Sequence, residues 1–221
     1  DAPASKRERT KGYGAEVVLY DRDREDREAI ARDIAGQRGA TLVPPYDDPK
    51  IIAGQGTVGR EIAEDIAAAN SSPDIVIAPA SGGGLIAGIA TAVKARFPQA
   101  AVMCAEPEGF DDHARSLRAG HREAHDAKGR TICDALMALI PGEITFAING
   151  RLLAQGVVAS DAEVGTAMAF AFRELKLVVE PGGAVALAAM LAGRIDVRGK
   201  TAVIVLSGGN VDADLFAKLI V

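Results

Sequence analysis

The sequence has no tryptophan, and aromatic residues make up only 4% of its 221 positions. That scarcity speaks against an aromatic stacking platform for single-stranded nucleic acid, and a formal net charge of −5 speaks against a nucleic-acid partner altogether. Cysteine occurs twice, at Cys104 and Cys133. Two thiols so far apart build neither a disulfide framework nor a zinc knuckle, so a reducing cytoplasm is expected. No apolar run approaches the roughly 20 residues needed to span a bilayer. An initiator methionine is also missing. The opening Asp1-Ala2-Pro3-Ala4 is unlike a secretory leader, and the expectation is that upstream residues have been lost by cleavage, truncation or disorder. What is plentiful is glycine, 24 residues, alongside 48% hydrophobic and 25% charged residues. This is the composition of a globular α/β enzyme with tight strand-to-helix turns and aliphatic packing.

Short β-branched runs alternate with amphipathic stretches, the pattern of a parallel sheet with crossover helices. Strands are expected at Val17–Tyr20, Thr41–Val43, Ile75–Ala78, Ala101–Ala105 and Thr201–Leu206. The unbroken apolar run of the last one predicts a central position. Helices are expected over residues 25–37, 56–70, 85–97, from the capping box Ser160-Asp-Ala-Glu163 to about Leu175, after Pro181, and over 212–220. Pro44, Pro45 and Pro49, with Asp47 and Asp48 among them, can continue neither element and mark a domain boundary. The expected division is 1–49 and 50–221.

Ser81-Gly82-Gly83-Gly84-Leu85 stands where the strand at Ile75 ends and a helix begins. Free amides at a helix N-terminus, the helix dipole and absent β-carbons make such a place a phosphate cradle; the alternative is a turn needing positive φ. Gly54-Gln-Gly56-Thr-Val-Gly59 matches the dinucleotide fingerprint letter by letter, but no full strand precedes it, so a packing role is expected. Leu206-Ser207-Gly208-Gly209-Asn210 ends another strand in a second serine-glycine turn, at the edge where open α/β sheets bind ligands. Glu106-Pro-Glu108-Gly-Phe110-Asp111-Asp112 offers four carboxylates in seven residues, suited to Mg²⁺ or Ca²⁺ or else to plain solvation and helix capping. His121 and His125 are spaced for one helical face, but Glu123 falls in the wrong place for a zinc-protease motif, so solvated histidines are expected.

In order and spacing, Gly54–Thr57, Ser81–Leu85, Glu106–Asp112, Glu180-Pro-Gly-Gly183 and Ser207–Asn210 resemble the fold type II pyridoxal-phosphate enzymes, most of all serine/threonine dehydratases and serine racemase. The resemblance runs from Ala15 to the end of the chain. It implies the tryptophan synthase β-like fold: a parallel sheet with flanking helices, a large domain at 50–221 and part of a small domain at 1–49. It implies that Ser81, Gly82, Gly83, Gly84 and Leu85 hold the cofactor phosphate, that Ser207 bonds the pyridine nitrogen, and that Glu180 lies beside the ring. Glu106, Asp112 and the Phe110 carbonyl are similar to the divalent-cation site of racemase-like members.

Two departures qualify the resemblance. Asp134-Ala135 stands where the family often has Asp-Gly, and neither the Schiff-base lysine segment Ser-x-Lys-x-Arg-Gly nor the substrate loop Ser-x-Gly-Asn, both of which the family carries upstream of these motifs, occurs ahead of them here. The lysine is expected upstream, so no catalytic residue is assigned here and the chain by itself is expected to be inactive. The implied intact protein is a cytoplasmic, homodimeric pyridoxal-phosphate lyase of amino-acid metabolism converting L-serine or L-threonine to the 2-oxo acid and ammonia. Serine racemase and 3-hydroxyaspartate dehydratase are the alternatives within the class; a non-catalytic fragment or a dinucleotide-binding module lies outside it. With nothing long after Asn210, an end-product-inhibited biosynthetic enzyme is disfavoured.

Overall fold

The computed structural model describes residues 2–21, 24–124 and 129–221. The chain forms two compact units, residues 1–44 and 45–221.

The first unit carries α1 (Ala4–Gly12) and α2 (Arg27–Arg38). Asp26 starts α2 by accepting the amides of Glu28 and Ala29, and Arg38 pairs with Glu16 at 2.6 Å. The strands expected at Val17–Tyr20 and Thr41–Val43 do not form. A β-branched run becomes a strand only against a hydrogen-bonded neighbour, and none lies among the described residues of this unit. Val18, Leu19, Leu42 and Val43 are accordingly exposed.

The second unit begins with α3 (Pro49–Ala68). Its start is seven residues earlier than the expected helix, because Asp48 caps the amides of Lys50 and Ile51 and Pro49 takes the first helical position. There follow β1 (Ile75–Pro79), α4 (Gly84–Arg96), β2 (Ala101–Pro107), α5 (Asp112–Ala119), α6 (Glu143–Leu152) and β3 (Leu153–Ala159). The chain continues through α7 (Asp161–Phe170), α8 (Pro181–Leu191), β4 (Ala202–Ile204) and α9 (Ala213–Leu219). The capping box at Ser160 and Glu163 forms as expected, though the last turn, Ala171–Leu175, relaxes to a π-helix. None of the described helices is long and apolar enough to cross a membrane.

All strand pairs are parallel, in the order β3-β2-β1-β4. Alternation along β1 explains why both faces are covered. Ile75 and Ile77 enter a core with Met168, Val185 and Leu187 of α7 and α8, while Val76 and Ala78 meet Ile86, Ile89 and Val93 of α4. The strand expected to be central, β4, is instead the edge strand among the described residues and is only half-buried. An apolar run reports burial, not sheet order.

The fingerprint glycines lie inside α3, not in a phosphate loop. Of these, Gly59 lets α3 approach α4, since a Cβ there would stand 2.7 Å from the Ile89 carbonyl; from the α4 side a Cβ on Gly88 would stand 2.5 Å from the Gly56 nitrogen and the Ile52 carbonyl, whereas one on Gly54 meets nothing within 4 Å. Gly88→Ala is therefore expected to destabilise by about 1–3 kcal/mol through overpacking. Gly54→Ala should stabilise by about 0.5–1 kcal/mol through helix propensity. Urea unfolding of the two variants measures both.

Candidate functional site

Parallel strands bring their carboxyl ends to one edge, and the ends of β1, β2 and β4 carry the motifs singled out above. Residues 80–83 connect β1 to α4. Among the described residues, no acceptor pairs with the N–H groups of Ser81, Gly82 or Gly83. These donors, with the first amides of a 13-residue helix, suit an anion.

The cradle is held from behind by its carbonyls and its missing β-carbons. Thr145 Oγ1 donates to the Gly82 carbonyl at 2.6 Å, Gly142 N–H donates to the same oxygen at 3.1 Å, and Asn149 Nδ2 donates to the Gly83 carbonyl at 3.3 Å. Ser81 Oγ accepts the Ala138 amide at 3.1 Å, fastening the loop 131–138 to the cradle. Tyr46 packs where a Cβ on Gly82 would stand, and the His113 ring does the same at Gly83, whose φ of +97° favours glycine. Gly82 and Gly83 are thus required by their neighbours, and Gly83 by the turn as well.

Thr145 and Asn149 lie on α6, an element that no sequence signal marks, and α6 is itself fixed from far away. Asp47 accepts the amides of Glu143, Ile144 and Thr145 at 2.9, 2.9 and 3.0 Å, capping the helix from 96 to 98 positions upstream. Asp47→Ala should cost about 1–2 kcal/mol, the usual worth of an N-cap. It should also weaken anion binding, because Thr145 loses its anchor; chemical denaturation and phosphate titration check the two effects.

At the opposite end of the edge, exposed Ser207 follows β4. Glu180 opens α8: its amide donates to the Gly208 carbonyl at 2.9 Å, and its carboxylate fills the space that a Cβ on Gly208 would need. Ala135 and Leu136 sit over Gly182 in the first turn of α8, so the Asp134-Ala135 loop is close to this turn.

The acidic loop after β2 is not a solvated one. Glu106 and Asp112 are fully buried, and Phe110 is buried in the turn between them. Glu106 caps α5, accepting the His113 amide at 2.9 Å and the Ala114 amide at 2.8 Å. Glu108 remains exposed. Next to the two acids stands His113, which composition and spacing gave no reason to select. Ligand atoms of Glu106, Asp112 and His113 lie within 4.8 Å of one another, a set that could hold a cation. Burial pushes the Glu106 carboxyl well up, with the Asp112 charge adding to it. Burial raises Asp112 to about 7 and lowers His113 to about 4. Of the other histidine pair, His121 follows the end of α5 and is not helical, and His125 lies outside the described residues. Both cysteines are buried free thiols, Cys133 pushed up to about 12 by burial; a buried thiol in this state is inert.

A family described as "Pyridoxal-phosphate dependent enzyme" matches residues 1–208. The chain is 39% identical over 220 residues to the L-threo-3-hydroxyaspartate ammonia-lyase of Saccharomyces cerevisiae, covering 100% of this chain and 66% of that protein. It is 36% identical over 219 residues to the L-threonine ammonia-lyase of Thermotoga maritima, covering 99% of this chain and 53% of the relative. The solved structure of maize serine racemase superposes with a TM-score of 0.88 at 36% identity, over 99% of this chain and 66% of that one. The chain thus spans from about half to two-thirds of the length of these relatives.

Proposed function

The chain belongs to the pyridoxal-phosphate dependent enzymes, and on that premise we propose that it forms the phosphate- and ring-binding part of a lyase acting on L-serine or L-threonine. The reaction eliminates the β-hydroxyl as water and releases the 2-oxo acid and ammonia. When bound, pyridoxal phosphate acidifies the Cα proton of its amino-acid substrate. The residues of this chain bind and orient. The amides of residues 81–85 hold the phosphate, and Glu180 stands beside the ring. Ser207 meets the ring nitrogen with a neutral hydroxyl, which does not force protonation as a carboxylate would and so favours prompt loss of a β-hydroxyl. The Schiff-base lysine lies outside these residues. Residues 50–221 are the large cofactor domain and 1–49 part of the small one. The intact protein is a cytoplasmic homodimer, for which the apolar groove of about 1020 Å³ along α3 and α4, lined by Ile52, Ile144 and Ile148 among others, offers a face to bury. Glu106, Asp112 and the Phe110 carbonyl hold a divalent cation, a reading supported by the orphaned, buried oxygens of Asp112.

The observation that carries the reading is the set of unpaired amides at the start of α4, on the same sheet edge as Ser207. Hydroxyaspartate is the second candidate substrate, favoured by the name of the yeast relative at 39% identity. Thermal unfolding of this chain tests cofactor binding. Pyridoxal phosphate at 100 times its dissociation constant should stabilise by about 2.7 kcal/mol, inorganic phosphate should stabilise less, and NAD should have no effect. Stabilisation by NAD alone would overturn the proposal. Activity is tested on the full-length protein, by 2-oxo acid release from L-serine, L-threonine and 3-hydroxyaspartate in parallel.

A further inference from the structure

Glu106, Asp112 and His113 are three fully buried polar side chains on the end of β2 and the first turn of α5. Both Asp112 oxygens and His113 Nδ1 lack any hydrogen-bond partner. An unpaired polar atom in an interior costs about 1–3 kcal/mol, so three together call for an occupant. Nδ1 stands 3.8 Å from Glu106 Oε1 and 3.8 Å from Asp112 Oδ2. These distances are too long for hydrogen bonds. They suit ligands that share one ion, since atoms each about 2.1–2.2 Å from a metal stand about 3–4 Å apart.

On the far side of the ring Nε2 lies 3.0 Å from the Asn149 side-chain amide, while Nδ1 has no partner and faces the two carboxylates. A metal-bound histidine keeps its second ring nitrogen on a hydrogen-bonding neighbour, which fixes the orientation of the ring.

We propose that His113 Nδ1 is a direct ligand in the cation site and that this nitrogen tilts the site toward transition ions such as Mn²⁺, Co²⁺ or Zn²⁺ and away from Mg²⁺ and Ca²⁺. The inference rests on the reading of this pocket as a cation site. Hard alkaline-earth ions take oxygen ligands, whereas imidazole nitrogen suits the first-row transition series. Since the same ring packs where a Cβ on Gly83 would stand, an ion held on Nδ1 also steadies the phosphate cradle.

The test loads Mn²⁺ onto the chelator-stripped 221-residue chain and reads the bound ion by pulsed electron paramagnetic resonance. The expected spectrum contains the ¹⁴N coupling of one directly bound imidazole, unchanged in the His121→Asn and His125→Asn variants and absent in His113→Asn. Calorimetry should show His113→Asn losing at least about tenfold in Mn²⁺ affinity while Mg²⁺ affinity stays within about threefold. Bound Mn²⁺ with oxygen couplings alone overturns the inference and leaves the cation site standing. Failure of the unsubstituted chain to bind either Mn²⁺ or Mg²⁺ overturns both. The spectrum of the unsubstituted chain needs no variant, so the inference stays testable even if His113→Asn does not fold.

Discussion

Gly83→Ala is expected to lower the unfolding free energy by about 2–5 kcal/mol and to abolish stabilisation by pyridoxal phosphate. Two costs add. A β-carbon at φ +97° is strained by about 1–2 kcal/mol. It would also stand 2.5 Å from His113 Nε2 and 2.8 Å from Asn149 Nδ2, overpacking that costs a further 1–3 kcal/mol or so. Neither neighbour can yield freely, because both are fully buried and Asn149 holds the Gly83 carbonyl. Gly193→Ala separates the two causes. Gly193 has φ +71° but nothing within 4 Å of its Cβ position, so it should lose only the strain and keep the response to cofactor. Equal losses in the two variants, measured by urea unfolding with and without pyridoxal phosphate, would show that packing behind the cradle does not matter.

The contrast between these glycines shows where local reading works and where it stops. The turn at Ser81–Leu85 is legible because a buried strand, small residues and an apolar helix follow one another within about 20 positions, and each signal is local. Ser207 is legible for the same reason, and two strand ends in one parallel sheet must share an edge. The supports are not legible in this way. Thr145 reaches the cradle across 63 positions, Asn149 across 66 and Asp47 reaches Thr145 across 98, and no periodicity reports such contacts. α6 and β3 escape for a related cause: Glu143–Leu152 mixes polar and apolar residues without a clear face, and Leu153–Ala159 contains Gln155 and Gly156, both poor strand signals. In the acidic loop the carboxylates stand out by number. Their burial, and the imidazole turned toward them, depend on how α5 folds back on β2, with Glu106 capping it.

Asp112→Asn, in the presence of chelator, is expected to be close to the unsubstituted chain in stability near pH 4 and more stable at pH 8, by an amount on the order of 4–5 kcal/mol. Burial raises the Asp112 carboxyl from 3.8 to about 7, so between these values the folded protein holds a proton that the unfolded chain has released. Stability from this group is fully present below about pH 4 and is lost as the pH rises through about 7. Each pH unit between the folded and unfolded values is worth about 1.4 kcal/mol, and the neutral amide does not suffer the loss. Glu106 adds to the difference with the same sign, because the Asp112 charge is one of the causes that raise it. His113 acts in the other direction: its value is lowered to about 4, so its contribution is present above about 6.5 and lost as the pH falls through about 4. That contribution is common to both proteins and cancels in the comparison. Saturating Mn²⁺ should reverse the order at pH 8, since an ion turns the buried charges from a cost into ligands and the amide of the variant offers it no carboxylate. Urea unfolding at pH 4, 6 and 8, with chelator and then with Mn²⁺, measures all of this. A difference between the two proteins that stays constant from pH 4 to pH 8 would mean that Asp112 titrates alike in the folded and unfolded chains.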